Sequence, residues 1–191
     1  MFIDYLTVVM INLVAGLFIL AWFLWKGLDA QDRKPWAAAF FGVGLLSFIT
    51  GLHMSFTWPF PGGYNIIFGD TTTLFGLAFL VAALALWQGW DLFPASLVGF
   101  FAGIPAVIYG FRVINLGLTQ SPTISGLGFI LAGVSGVLSA PFLLWFKNNK
   151  VVRWIAILVL LAAAAVWFVE VSGATWAHPV SFGKWVPATM K

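Results

Sequence analysis

Residues 6–25 read LTVVMINLVAGLFILAWFLW, a run of apolar and small residues that contains no charged side chain. A helix needs about 20 such residues to cross the hydrocarbon core of a bilayer. The run is too long for the apolar region of a secretory signal, no basic residue precedes it, and no small-x-small cleavage site follows it. We therefore predict that it is a retained transmembrane helix.

Five further runs of the same kind follow along the chain, separated by short loops. This repetition predicts an all-α integral membrane bundle of six transmembrane helices in a single domain, residues 1–191. The six predicted spans are residues 6–25, 36–58, 73–90, 93–114, 124–145 and 154–174.

The composition favours the same class of protein. Hydrophobic residues make up 62% and charged residues 8% of the chain, and the mean hydropathy is +1.02. A soluble domain carries roughly 25% charged residues, so this chain has too few to cover a water-facing surface. The absence of cysteine excludes disulfides, thiolate metal sites and thiol nucleophiles. The expected partner is the lipid bilayer, and nucleic acid is not expected.

Lysine and arginine predict the orientation in the membrane. One face holds six of these residues and the other holds three, so the positive-inside rule places the first face in the cytoplasm and both termini outside. We predict a multi-pass protein of the cell membrane. The six residues lie in the loops after the first and fifth spans: Lys26, Arg33, Lys34, Lys147, Lys150 and Arg153.

Tryptophan and the longest linker add two expectations. Most tryptophans lie at or near span ends, as is typical of the aromatic belt at a membrane interface, whereas Trp167 lies in mid-span. The linker 59–70, PFPGGYNIIFGD, combines turn-forming residues with bulky apolar ones. We expect it to fold back over the bundle as a cap or a short re-entrant segment.

Four ionisable residues lie near the predicted outer boundary: His53, Asp70, Arg112 and Glu170. Ionisable side chains are costly at membrane depth, and they generally form pairs or mark a function. Arg112 with Glu170 is a candidate ion pair, and His53 with Asp70 a candidate hydrogen-bonded pair. Two interpretations stay open: these residues lock helix ends together, or they line an outer vestibule.

The histidines suggest an alternative function. His53 and His178, both at the predicted outer face, are candidate ligands of haem b or of a metal ion in a membrane redox subunit. Their spacing matches no diagnostic motif, and no catalytic motif is present, so we do not expect an enzyme. A third possibility is a structural subunit of a larger membrane complex.

The middle of the chain resembles a known family. Residues 74–83, LFGLAFLVAA, are followed by residues 89–96, GWDLFPAS, and then by residues 104–106, IPA. This pattern resembles the proton-gated urea channel and short-chain amide transporter family. The chain departs from that family in its fifth span, which lacks a tryptophan pair, and in its outer loops, which are not rich in histidine. These departures indicate a sister group of that family with the same six-helix bundle.

The resemblance implies a channel or facilitator for a small neutral polar solute of the urea or short-amide type. It implies that Phe75 and Phe79 line an aromatic path through each protomer, because they match the pore aromatics of the family. They stand four residues apart, on one face of a helix. The resemblance also implies a homo-oligomer, and passage down a gradient requires no cofactor.

Overall fold

The computed structural model describes residues 5–184, and the chain forms six long helices over this range. They are α1 (Leu6–Trp22), α2 (Lys34–Thr57), α3 (Tyr64–Gln88), α4 (Phe93–Leu116), α5 (Pro122–Pro141) and α6 (Lys150–Phe182). Helices α1 and α5 each continue into one π-helical turn, at Phe23–Gly27 and Phe142–Phe146. By length and composition each of the six segments is sufficient to cross a membrane. The predicted all-α bundle of six transmembrane helices is confirmed.

Local sequence determines where the helices begin and end. Helices α3 and α4 stop at Gly89 and Gly117, whose φ angles of 73° and 62° lie in the left-handed region that glycine adopts without a steric penalty. Helix α6 begins after Asn149, whose side chain accepts hydrogen bonds from the backbone N–H groups of Val151 and Val152 at 3.0 and 3.2 Å.

The expected cap over residues 59–70 is wrong. Helix α3 begins at Tyr64, so most of this segment is its first two turns. Asn65 closes the short connection from α2, because its side chain accepts from the backbone N–H of Phe60 at 2.9 Å and donates to the carbonyl of Phe60 at 2.5 Å. The bulky residues Ile67 and Phe68 are buried on the inner face of the helix.

The predicted end of the sixth span also needs correction. It was placed at residue 174, but α6 continues to Phe182 and includes both His178 and Pro179. Proline removes one backbone hydrogen bond from a helix, and here it does so close to the end, where little of the helix depends on that bond.

The six helices form a closed ring. Each helix contacts its neighbours in the chain, and α1 closes the ring by packing against α6. Loops α1–α2, α3–α4 and α5–α6 lie at one end, which we call the basic end because it holds Lys26, Lys147 and Arg153. The opposite end holds His53 and His178, and we call it the histidine end.

Glycine brings the helices of two hairpins into close contact. A methyl group on Gly76 of α3 would lie 2.7 Å from the Cα of Phe48 in α2. One on Gly103 of α4 would lie 2.5 Å from the backbone nitrogen of Val137 in α5. Small residues at these positions allow backbone contact between helices in a medium where no hydrophobic effect drives helix association.

The outer surface of the ring is apolar along its length, with exposed side chains such as Phe101, Ile108 and Leu158. A soluble protein does not expose apolar surface on this scale, and a bilayer is the medium that covers it. Exposed tryptophans border this surface near the basic end, as the predicted aromatic belt requires: Trp25, Trp87, Trp90, Trp145 and Trp154. The chain is a multi-pass membrane protein.

Candidate functional site

A cavity of ≈ 380 Å³ lies between the six helices of the ring, and we call it the lumen. This volume far exceeds the ~10–15 Å³ that one water molecule requires. The lumen runs from Val9 and Thr71, near the histidine end, to Leu28 and Phe146 at the basic end, and all six helices contribute to its wall. Within the described range 5–184, no Asp, Glu, Lys, Arg or His side chain lines it.

The two sides of the lumen differ in side-chain size. Helices α1, α2 and α3 contribute predominantly bulky residues, for example Leu17 and Phe40. Helices α4 and α5 contribute many small ones, for example Gly99, Ala102 and Gly133. The lumen therefore has a bulky, partly aromatic surface on one side and a shallow surface, close to the backbone, on the other.

Both phenylalanines singled out in the sequence lie in the lumen wall. The ring centroids of Phe75 and Phe79 are 4.5 Å apart, and Phe79 stacks on Phe40 with centroids 5.1 Å apart and planes inclined by 24°. Sequence reasoning missed Phe40, because apolar residues surround it and nothing in the pattern distinguishes its face of α2. The role of this aromatic surface in solute passage remains a prediction.

Three aromatic rings pack together where the lumen approaches the histidine end. The rings pack edge to face. The ring centroids of Phe68 and Phe129 are 5.2 Å apart, those of Phe129 and Trp167 are 5.0 Å apart, and those of Phe68 and Trp167 are 6.3 Å apart. All three are buried, and Trp167 is only 1% exposed. We call this set the aromatic cluster. Trp167 was the one tryptophan that the sequence placed in mid-span, so its position away from the belt indicated a role inside the bundle.

The indole of Trp167 packs against α5 at Gly128, which has no side chain. A methyl group on Gly128 would lie 2.9 Å from the indole nitrogen, so only glycine leaves room for the ring. This buried N–H has no hydrogen-bond partner among the residues that the structure describes. Shape complementarity, rather than a polar contact, therefore fixes the position of Trp167.

The histidines are hydrogen-bonded to different residues at the start of α1. The Tyr5 hydroxyl lies 2.9 Å from Nδ1 of His53, and the Thr7 hydroxyl lies 3.1 Å from Nδ1 of His178. Burial raises the pKa of the Tyr5 phenol above its ordinary value. Between residues 5 and 184, no group of three or more His, Cys, Asp or Glu side chains forms a potential metal site. Ligation of haem or metal by the histidines stays a prediction.

The structure does not bring the two predicted polar pairs together. Asp70 accepts hydrogen bonds from the hydroxyls of Tyr109 at 3.0 Å and Ser55 at 3.4 Å, rather than from His53.

Glu170 accepts a hydrogen bond from the Ser125 hydroxyl at 3.1 Å, while Arg112 is exposed, and no ion pair joins them in the described part of the chain. The polar groups at this end thus connect helices through hydroxyl–carboxylate contacts. Sequence reasoning missed Ser55, Tyr109 and Ser125, which carry no charge and so gave no signal.

A second, polar cavity adjoins the lumen at the basic end. Three leucines, Leu28, Leu92 and Leu143, line both cavities and lie where the two adjoin. The other residues around the second cavity are mostly polar: Asp29, Arg33, Asp91, Phe93, Leu144, Lys147 and Asn148. We call this cavity the charged vestibule and the three leucines the leucine constriction.

An ion pair beside the charged vestibule joins the α1–α2 loop to the first turn of α6. The guanidinium of Arg153 forms a bidentate contact with the carboxylate of Asp29, and one of the guanidinium nitrogens also donates a hydrogen bond to the backbone carbonyl of Lys147. The hydrogen bond from Arg153 lowers the pKa of Asp29 below its ordinary range. Sequence reasoning had used Arg153 only to orient the chain and had given Asp29 no role.

Both π-helical turns lie at the basic end, next to the leucine constriction. In the first, the backbone N–H of Leu28 donates to the carbonyl of Phe23 at 2.7 Å, the wide i to i+5 spacing of a π-helix. Such turns are rare and are often found at functional sites. Their occurrence at equivalent ends of α1 and α5 marks the basic end as the less regular end of the lumen.

Comparison with known proteins gives a family and a fold. The chain belongs to the family described as Protein of unknown function (DUF981), whose sequence profile matches residues 1–180. A search of curated proteins found no match.

The fold is similar to that of the Helicobacter pylori urea channel, solved by electron cryomicroscopy in a closed state. The TM-score is 0.66 and the sequence identity 22%, over 87% of this chain and 97% of the channel chain. The resemblance inferred from residues 74–106 is confirmed, and at this identity it establishes a shared fold.

Proposed function

We propose that this member of the DUF981 family is a channel or facilitator for a small neutral polar solute of the urea or short-amide type. The observation that carries the proposal is an uncharged lumen lined by all six helices in a fold shared with a urea channel. The lumen supplies a path, and passage down a gradient needs no chemical step. The protein is accordingly proposed not to be an enzyme and to need no cofactor.

The chemistry of the wall favours neutral solutes over ions. An ion that leaves water for an apolar cavity loses hydration energy that only an opposite charge or a set of dipoles restores. The described lining contains no such charge. A neutral solute loses much less, so the lumen discriminates by the cost of desolvation.

The aromatic surface favours planar solutes. The stacked rings of Phe40 and Phe79, together with Phe75, present π faces along one side of the lumen. A planar molecule such as urea or acetamide makes contact over its whole face with such a surface, whereas glycerol does not. This geometry supports the proposed aromatic path, with Phe75 and Phe79 as its central residues.

The proposal includes an orientation and an assembly. The basic end faces the cytoplasm and both termini face outward, as the distribution of lysine and arginine favours. Several copies assemble into a homo-oligomer in the cell membrane, with a lumen in each protomer. The hydroxyl–carboxylate contacts of Asp70 and Glu170 then border the outer entrance.

Stopped-flow light scattering on proteoliposomes tests the proposed function. We expect urea and acetamide to enter protein-containing liposomes at least about tenfold faster than empty ones, and glycerol more slowly than both. A Phe79→Trp variant adds volume inside the lumen and should slow urea, whereas Phe101→Trp places the same residue on the lipid-facing surface, where Phe101 is 66% exposed, and should not. Correctly folded protein that is impermeable to all three solutes would contradict the proposal.

A further inference from the structure

Four of the six hydroxyl groups that line the lumen donate their hydrogens to carbonyl oxygens of the protein, and the other two, those of Ser47 and Thr72, belong to buried residues. Ser96 donates to the carbonyl of Phe93 at 2.6 Å, and Ser135 donates to that of Leu131 at 2.9 Å. Because a carbonyl oxygen carries no hydrogen, the serine must be the donor in each of these bonds.

Two further hydroxyls of the lumen follow the same rule. Ser139 donates across the helix interface to the carbonyl of Ser96 at 2.8 Å, and Thr71 donates to the carbonyl of Ile67 at 2.5 Å. All four hydroxyl groups line the lumen, and none of these side chains is fully buried. Their oxygens therefore offer lone pairs to the lumen and no hydrogen.

The serines lie together on the shallow side of the lumen. Ser135 and Ser139 stand four residues apart and so share one face of α5, and the Ser139 hydroxyl reaches across to α4 at Ser96. They lie between the aromatic cluster and the leucine constriction. A solute that crosses the lumen must therefore pass a group of three acceptor oxygens that faces the aromatic surface.

We infer that the lumen selects solutes that donate hydrogen bonds, an inference that rests on the proposed function. The favoured class is the primary amide and urea class, whose planar N–H groups can bond to the serine oxygens while one face lies on the phenylalanine rings. Solutes of equal size that only accept hydrogen bonds leave these oxygens without partners and lose the hydration they had in water. Ser96, Ser135 and Ser139 are thus specificity-determining residues.

Three solutes with the same number of non-hydrogen atoms test the inference on the wild-type protein. Urea, acetamide and dimethyl sulfoxide each have four non-hydrogen atoms, and they offer four, two and no N–H hydrogens respectively. After subtraction of the flux through empty liposomes, we expect channel-mediated permeability to fall in that order, with a difference of about tenfold between urea and dimethyl sulfoxide. Equal permeability to all three, or a faster passage of dimethyl sulfoxide, overturns the inference while the proposed channel stands.

Removal of the acceptors provides the second test. We expect Ser135→Ala with Ser139→Ala to slow urea and acetamide by about three- to tenfold and to leave dimethyl sulfoxide within about twofold of wild type. Ser172→Ala, at an exposed position of α6, is the matched control and should change none of the fluxes. An equal loss for all three solutes, or no loss, overturns the inference.

One control variant and the wild-type fluxes separate the possible failures. Ser135→Thr keeps a hydroxyl that can donate to the Leu131 carbonyl, and we expect it to retain the urea preference that Ser135→Ala weakens. If the double variant does not fold, the wild-type order of the three solutes decides alone. Absence of flux for all three solutes in folded wild-type protein overturns the proposed function, and this inference with it.

Discussion

At the histidine end the lumen meets three packed aromatic rings, whereas at the basic end it meets three leucines beneath a charged vestibule. The aromatic cluster of Phe68, Phe129 and Trp167 is buried and is fixed by shape alone, down to the contact of the indole with Gly128. Protein interiors of this kind are closely packed, so no ring can leave its place without others moving.

The basic end depends on weaker and more adjustable contacts. Its leucine constriction lies beside two π-helical turns and an ion pair in which Asp29 is 71% exposed. Ion pairs open to solvent contribute little to stability, commonly ~0–1 kcal/mol. For the proposed channel, this comparison leads us to expect that the histidine end is the main barrier to passage and that the basic end opens more easily.

Removal of the Trp167 side chain should have the largest effect. We expect Trp167→Ala to lower the free energy of unfolding by ~3–5 kcal/mol, because it removes a large buried side chain and leaves a cavity. The matched control is Trp145→Ala, which removes an indole that is 69% exposed near the basic end and should cost far less. Denaturation of the detergent-solubilised protein measures both values, and similar losses would show that the aromatic cluster is not specially packed.

Opening the histidine end should raise flux more than any other single change to the lumen. We expect Phe129→Ala, if folded, to increase urea permeability about tenfold, equivalent to ~1.4 kcal/mol off the barrier. Stopped-flow assays on proteoliposomes with matched protein content provide the measurement. An unchanged permeability would place the main barrier elsewhere.

The ion pair at the basic end should contribute a small, pH-dependent stability. The pKa of Asp29 is lower in the folded chain than in the unfolded chain. The contribution of Asp29 to stability is therefore complete at pH values above its pKa in the unfolded chain, and it is lost as the pH falls through its lower pKa in the folded chain. We expect Asp29→Asn to cost ~0.2–1 kcal/mol at pH 7 and to remove this part of the acid dependence. Unfolding curves between pH 3 and pH 7 check both. A loss that persists unchanged at the lowest pH would argue against the ion pair as its source.

Widening the leucine constriction should have the smallest effect on flux. We expect Leu143→Ala to change urea permeability by less than about twofold, since a barrier in series with a larger one contributes little to the total. Measured beside Phe129→Ala in the same assay, it gives the comparison directly. A larger increase for Leu143→Ala than for Phe129→Ala would reverse the assignment of the two ends.

The sequence predicted the fold well because a bilayer imposes a simple length requirement. Each span needs about 20 apolar residues whatever its partners are, so six runs identify six helices. The start of α3 at Tyr64 was missed because an apolar residue in a helix and one in a re-entrant loop have the same hydropathy. Only the Asn65 contacts that close the preceding turn distinguish the two.

The candidate site was harder to predict, because it depends on the rotation of each helix about its axis. Phe75 and Phe79 were found through a family resemblance, while Phe40 has the same chemistry but no distinguishing pattern. Asp29 and Arg153 are separated by 124 positions, and no local signal connects them. No local signal connects Tyr109 with Asp70 either, although the two side chains are in contact across the helix interface.

The most direct test of a solute path along the ring asks whether water reaches the lumen wall. The sequence has no cysteine, so a single introduced thiol reports its own surroundings, and only a thiol in water ionises and reacts readily with a methanethiosulfonate reagent. Ala102 lines the lumen, and its neighbour Phe101 lies at the same depth on the lipid-facing surface. We predict that Ala102→Cys reacts in proteoliposomes and that the reaction blocks urea flux, while Phe101→Cys does neither. An unreactive Ala102→Cys in folded protein, or equal reaction at both positions, would contradict a solute path through the ring.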